Sequence, residues 1–191
     1  MCTKQRGFSL IEVVIAMVII GVGMAGTLGV MTLATKHSAD PMLQKQALSI
    51  AESLLAEIEQ QPFTYCDPQD ANAPTAASAA GCAVAANDQN RGGAALAPTP
   101  GTETRGHSTD PHDNVADYAG YAQTPATDVT GGNAMAGYVS TVTVTRAGGA
   151  APFAALPADA VLKISVTVTG PGGTSVALVG YRFRYAPNAA G

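Results

Sequence analysis

Residues 4–12 read Lys-Gln-Arg-Gly-Phe-Ser-Leu-Ile-Glu, and positions 13–35 that follow hold no charged side chain until Lys36. This run of Val, Ile, Met, Ala, Leu and Gly is long enough to cross a bilayer as a helix, which takes about 20 residues. Before it stand Lys4 and Arg6 on a very short tail, joined by the initiating amine. Positive charge on that side predicts a single span in contact with lipid, a cytoplasmic N-terminus, and everything after Lys36 outside the cytoplasm.

Three fates compete for such a start. A secretory signal peptide is cut after its apolar stretch, at small residues; here the stretch is too long and runs on into a helical pattern. A plain uncleaved anchor satisfies the hydropathy equally well. A third fate, cleavage at the junction, is compatible with the residues there, because Gly7 lacks a Cβ and can take the extended backbone a protease needs where a helix otherwise begins. A cut between Gly7 and Phe8 removes Lys4 and Arg6 and leaves an apolar start with its cationic amine at the membrane edge.

The basic leader ending in Gly7, then Phe8, Ser9, Leu10, Ile11 and Glu12, resembles the cleavage motif of type IV prepilins. The resemblance implies cleavage after Gly7 by a prepilin peptidase that also methylates the new amine of Phe8. It further implies assembly with other pilin subunits on an inner-membrane platform. For Glu12 it implies pairing with the N-terminal amine of a neighbouring subunit, which sets the axial register of a fibre. A carboxylate in an apolar span costs about 2.5–3.5 kcal/mol at the helix centre, less near the interface, so such residues usually have a partner. The alternative is that Glu12 only occupies the first turn, favoured by the helix dipole and within reach of the amine of Phe8.

Beyond the span, Leu43, Ala47, Ile50, Leu54 and Ile58 recur at helical spacing, with Ala51 and Leu55 widening the stripe. This predicts an amphipathic helix with one face for a core. Pro62 disfavours helical geometry at Gln61, the predicted stop. Asp40-Pro41 interrupts the pattern, so a bend is expected there, or a fresh start with Asp40 as N-cap and Pro41 in the first turn. Gly21, Gly23, Gly26 and Gly29 are either ordinary membrane-helix glycines or points of close subunit packing.

The stretches Ser38-Ala39-Asp40-Pro41-Met42 and Gln46-Ala47-Leu48-Ser49-Ile50-Ala51-Glu52 resemble minor prepilins of the mannose-sensitive haemagglutinin (MSHA) pilus system. They also look like the minor pilins called pilus modification proteins. The resemblance is strongest over residues 1–70.

Residues 62–137 are dominated by Ala, Gly, Pro, Asn, Asp and Thr and read as loop. With Cys2 in the leader, processing leaves Cys66 and Cys82 outside the cytoplasm, and a disulfide between them is the natural reading. Closing such a loop is expected to contribute about 3 kcal/mol. The segment from Gly106 to Tyr118 concentrates His107, Asp110, His112, Asp113, Asn114 and Asp117. Zn²⁺ or Ca²⁺ suggests itself, but neither an EF-hand loop nor a paired-histidine helix is present, so no metal residue is assigned and a solvated turn is expected. Asn114-Val115-Ala116-Asp117-Tyr118 is also similar to a short acid-rich motif in minor pilins.

Strands are expected over 138–146, 161–169 and 174–185, where apolar and polar residues alternate, with Gly170-Pro171-Gly172-Gly173 as a turn and 186–191 as a tail. Val179, Tyr181, Phe183 and Tyr185 share one face of the last strand; Arg182 and Arg184 lie on the other, expected to be solvated or to meet a neighbour. The full division is then a cleaved leader at 1–7, a membrane helix at 8–35, an amphipathic helix at 36–61, loop at 62–137 and sheet at 138–185. The fold class is α+β and pilin-like: a long N-terminal helix packed on a small antiparallel sheet.

Composition narrows the function. Ten Lys plus Arg against 14 Asp plus Glu gives a net charge of -4, so no direct nucleic-acid partner is expected. No nucleophile-elbow or zinc motif appears, which argues against an enzyme and calls for no cofactor. The expected role is that of a minor pilin in the bacterial inner membrane, extracellular once incorporated in a pilus. The alternatives are a type II secretion pseudopilin, or a tip subunit for adhesion or DNA uptake.

Overall fold

A computed structural model describes residues 7 and 9–189, with the backbone alone over 33–40. The chain divides into two compact units, Met1–Met42 and Leu43–Gly191.

Helix α1, Leu10–Gln60, carries through Pro41 without interruption. The fresh start expected at Asp40 is therefore not present. A proline lacks an N–H to donate and crowds the carbonyl four residues back, and at Pro41, whose ring is exposed, the helix continues in spite of that cost. The boundary between the units falls one residue further on, at Met42. At the other end the Gln61 amide closes on the Ile58 carbonyl at 3.1 Å, just before Pro62.

Among the described residues four strands, β1 Ala122–Gln123, β2 Val139–Arg146, β3 Val161–Thr169 and β4 Ser175–Phe183, form one antiparallel sheet in sequence order. The fold is α+β. Registers Val142↔Val166 and Val144↔Ile164 on one side of β3, and Val166↔Leu178 and Ile164↔Gly180 on the other, put one row of aliphatic side chains on a single face. Against it lie Ala47, Ala51, Leu54 and Ile58 of α1, all buried. Each fully buried Leu, Ile or Val there contributes about 1.5–3 kcal/mol.

Gly180 marks which face of β4 turns inward. A Cβ there would strike the Glu59 carboxylate and come within 3.1 Å of Leu55 Cδ1, so any larger residue would oblige these two helix side chains to shift. The face shared by Val176, Leu178, Gly180 and Arg182 therefore meets the helix, and Val179, Tyr181 and Phe183 are exposed. Tyr181 and Phe183 stack edge-on against Phe153 at 5.1 and 5.3 Å. The solvated arginines expected on the other face are not found. Arg184 pairs with Asp159 at 2.9 Å and lies 4.2 Å over the Phe63 ring and 4.7 Å over that of Tyr65, its side chain only 4% exposed. Arg182 donates to the Gln61 carbonyl at 3.2 Å. Both cap the apolar layer at the end of α1, which desolvates them far more than an open strand face would.

The loops have few large apolar side chains and are stitched by aspartates instead. Asp70 accepts from the amides of Asn72, Ala83 and Val84 and from Asn87 Nδ2. Asp88 and Asp128 do the same for their own turns. A short carboxylate that takes several N–H groups stands in for the regular ladder these turns lack. Beside the Asp70 turn, Cys66 and Cys82 form a disulfide with their Cα atoms 5.5 Å apart. With Ala73, Ala76 and Tyr65 it makes a small satellite core.

Candidate functional site: the start of the N-terminal helix

The first turn of α1 is set by Ser9. Its carbonyl accepts from the amides of Glu12 at 3.1 Å and Val13 at 3.3 Å, and its Oγ accepts from the Glu12 amide at 3.3 Å. Ser9 is thus the N-cap, and Ser9-Leu10-Ile11-Glu12 has the Ser-x-x-Glu spacing of a capping box. Sequence reasoning missed this role for Ser9 although the spacing was visible. Gly7 lies immediately outside the helix, exposed, with open space where a Cβ would stand. Phe8, the expected new N-terminus, lies outside the described residues, as do Lys4 and Arg6.

Glu12 sits exposed in the first turn, and its carboxylate makes no hydrogen bond or ion pair among the described residues. Behind it Leu10–Thr32 is apolar enough to cross a membrane, with a mean hydropathy of 2.4 and none of it buried. Leu10 is 83% exposed and Val22, Val30 and Met31 are each 69% exposed, an apolar surface that, apart from Glu12 in the first turn, suits lipid or another subunit around it. The threonine hydroxyls of the span are satisfied within the helix: Thr27 Oγ1 donates to the carbonyls of Gly23 and Met24, and Thr32 Oγ1 to those of Leu28 and Gly29. Among the described residues, and apart from the helix's own backbone, no atom lies within 4 Å of a Cβ built on Gly21, Gly23, Gly26 or Gly29, so packing among those residues does not require these glycines.

The stretch expected to be a solvated turn is exposed at its start, over 106–109, and enters the protein in its second half. His107 is exposed and accepts from the Asp110 amide at 3.1 Å. By contrast His112, Asn114, Val115, Ala116, Asp117 and Tyr118 are buried. Asn114 caps the 3₁₀ turn Val115–Tyr118, its Oδ1 accepting from Ala116 N while the Asp117 carboxylate accepts from Asn114 N at 2.8 Å. Val115 and Tyr118 drag these polar neighbours into the core, where capping satisfies them.

Tyr118 ends at Glu57 of α1, donating to Oε1 at 2.7 Å, and Arg105 grips the same carboxylate at 2.8 and 2.6 Å. Arg105 also donates to the carbonyls of Thr127 and Asp128. Burial raises the Glu57 carboxyl, but the bonds from Arg105 and Tyr118 and the Arg105 charge outweigh it and hold the group below its ordinary value. Next to Arg105, Gly106 has φ +74° and would drive a Cβ into the Val129 carbonyl, so glycine is needed for this approach. The arrangement ties loop to helix.

Residues 2–28 match the family described as "Prokaryotic N-terminal methylation motif". Neither a curated protein nor a solved structure matches the chain. The motif, which takes in most of the apolar helix Leu10–Thr32, indicates a type IV pilin-like or pseudopilin-like protein, and the small antiparallel sheet beside the long helix makes the fold α+β. Such a motif implies processing by prepilin peptidase and assembly with other pilins, and the apolar helix fits a membrane anchor.

Proposed function

We propose that this chain is a minor pilin of an MSHA-like type IV pilus: a structural subunit, not an enzyme. It is cut between Gly7 and Phe8 and methylated there, then held in the inner membrane by Leu10–Thr32 with the unit Leu43–Gly191 in the periplasm. The same helix inserts it into a fibre or primes one. The observation that carries this reading is the bare apolar helix Leu10–Thr32, most of which falls within the matched methylation motif, because one surface serves lipid before assembly and neighbouring helices after it. The MSHA assignment rests on the resemblance over residues 38–42 and 46–52. Glu12, unpaired among the described residues, is available for a neighbour's amine.

Mass spectrometry of protein recovered from sheared fibres tests processing and incorporation together. The expected product starts at methylated Phe8; an intact leader in cells that make the peptidase sinks the processing claim. Electron microscopy of a deletion strain tests the role, with fewer or shorter fibres expected. Intact fibres with lost protein secretion move the chain to the type II pseudopilins. Intact fibres that no longer bind surfaces or DNA make it a tip subunit.

A further inference from the structure

Asp67, Glu103 and Asp113 come from three separate loop segments, yet one carboxylate oxygen from each lies within 4.8 Å of the others. Asp67 is 1% exposed and Glu103 3%, while Asp113 is half-buried. Asp67 Oδ2, both Glu103 oxygens and Asp113 Oδ1 are buried without a hydrogen-bond partner. The remaining oxygens are accounted for: Asp67 Oδ1 accepts from Gln69 N at 2.6 Å and Asp113 Oδ2 from Gln69 Nε2 at 3.4 Å. Asp117, fully buried beside Glu103, already takes the amides of Thr99 and Asn114. The ion pairs among the described residues are Arg105–Glu57 and Arg184–Asp159, so no protein cation there neutralises this group.

Buried carboxylates cost several kcal/mol apiece unless they are paired or bound to a cation. Shared protons can relieve part of this, and burial with Asp67 and Asp117 close by does raise the Glu103 carboxyl far above its ordinary range. A proton on Glu103 can be shared with Asp67 or with Asp117 but not with both, and it leaves Asp113 Oδ1 without a partner. A divalent ion meets one oxygen of each of the three carboxylates at once. The donors are oxygen only, which suits hard cations and not zinc. Ca²⁺ binds oxygens at about 2.3–2.6 Å, so its shell spans about 5 Å and admits the 4.8 Å spread, whereas Mg²⁺ demands a tighter octahedron and keeps its waters.

We propose that Asp67, Glu103 and Asp113 form a Ca²⁺ site that cross-links the three loop segments beside the Cys66–Cys82 bridge. The ion then does for these loops what their sparse apolar side chains cannot. A site made by two nearly dry carboxylates and a half-buried third is one the unfolded chain lacks, so binding stabilises the fold directly.

The test uses the full chain in detergent, stripped with chelator and melted with Ca²⁺, Mg²⁺ or Zn²⁺ alone. At ten times its dissociation constant Ca²⁺ is expected to raise the midpoint by about 3–5 °C. Calorimetry should count one tight site per chain, weakened at least tenfold in both Glu103→Gln and Asp113→Asn and unchanged in the exposed control Glu52→Gln. Asp113→Asn, being half-buried, gives the reading even if Glu103→Gln fails to fold. No Ca²⁺ stabilisation, or the same stabilisation in Asp113→Asn as in the parent, overturns the site. A metal-free midpoint that rises in Glu103→Gln while Ca²⁺ leaves the parent unmoved assigns the cluster to shared protons instead.

Discussion

Arg105 grips Glu57 at both carboxylate oxygens, Nε to Oε1 at 2.8 Å and Nη2 to Oε2 at 2.6 Å, across 48 residues of chain. The side chains are 9% and 19% exposed, so this pair lies between a surface salt bridge and a buried one. It joins the last turns of α1 to the loop that carries the Thr127 and Asp128 carbonyls.

Arg105→Met is expected to cost about 2–3 kcal/mol, because it strands a half-buried carboxylate and two carbonyls together. Glu57→Gln should cost less, since the amide still accepts one bond and Arg105 keeps its carbonyls. Urea unfolding of the detergent-solubilised chain measures both, and the double mutant should cost clearly less than the sum of the two. Additive losses would show that the two residues act independently.

The same pair makes stability fall in acid. Glu57 has its carboxyl lowered in the folded state, so its contribution is complete above the unfolded value, 4.5, and is lost as pH drops through the lower folded value. The difference in stability between the parent and Glu57→Gln should therefore be flat from pH 6 to 8 and shrink below about pH 4.5. A difference that grows on acidification contradicts this.

Cys66→Ser with Cys82→Ser removes a bridge spanning 16 residues and should lower stability by about 3 kcal/mol. Non-reducing peptide maps of the parent should show the two cysteines linked. The loss should be local, with the Asp70 turn exchanging its amide hydrogens faster while β3 stays protected.

Glu12→Ala should leave insertion and cleavage after Gly7 intact, because it removes an expensive charge from an apolar helix and spares the leader. Fibre incorporation should drop several-fold, since a neighbour's amine then enters an apolar setting without its counter-ion. The readouts are the ratio of processed to unprocessed chain and the amount in sheared fibres. Parental levels of both leave Glu12 as a first-turn residue, next to the Ser9 cap, and nothing more.

The elements legible from sequence are those whose pattern is local. The apolar run behind Glu12, the helical spacing from Ala47 to Ile58, and the alternation of Leu162, Ile164, Val166 and Val168 each follow from a backbone period that repeats within one segment. The cysteine pair was legible too, because few partners were available. Which face of β4 turned inward was not, since Tyr181 and Phe183 are the more apolar side chains, yet the face of Val176, Leu178 and Gly180 is the one that meets Leu55 and Glu59 of the helix. The burial of Asn114 and Asp117 was hidden for a related reason: their capping bonds and the anchoring of Tyr118 on Glu57, 61 residues away, belong to no local pattern. The carboxylate cluster was the least visible. Asp67, Glu103 and Asp113 share no spacing that a sequence can display, and loops of small residues converge only when the fold closes around them, so their meeting was decided by tertiary structure alone.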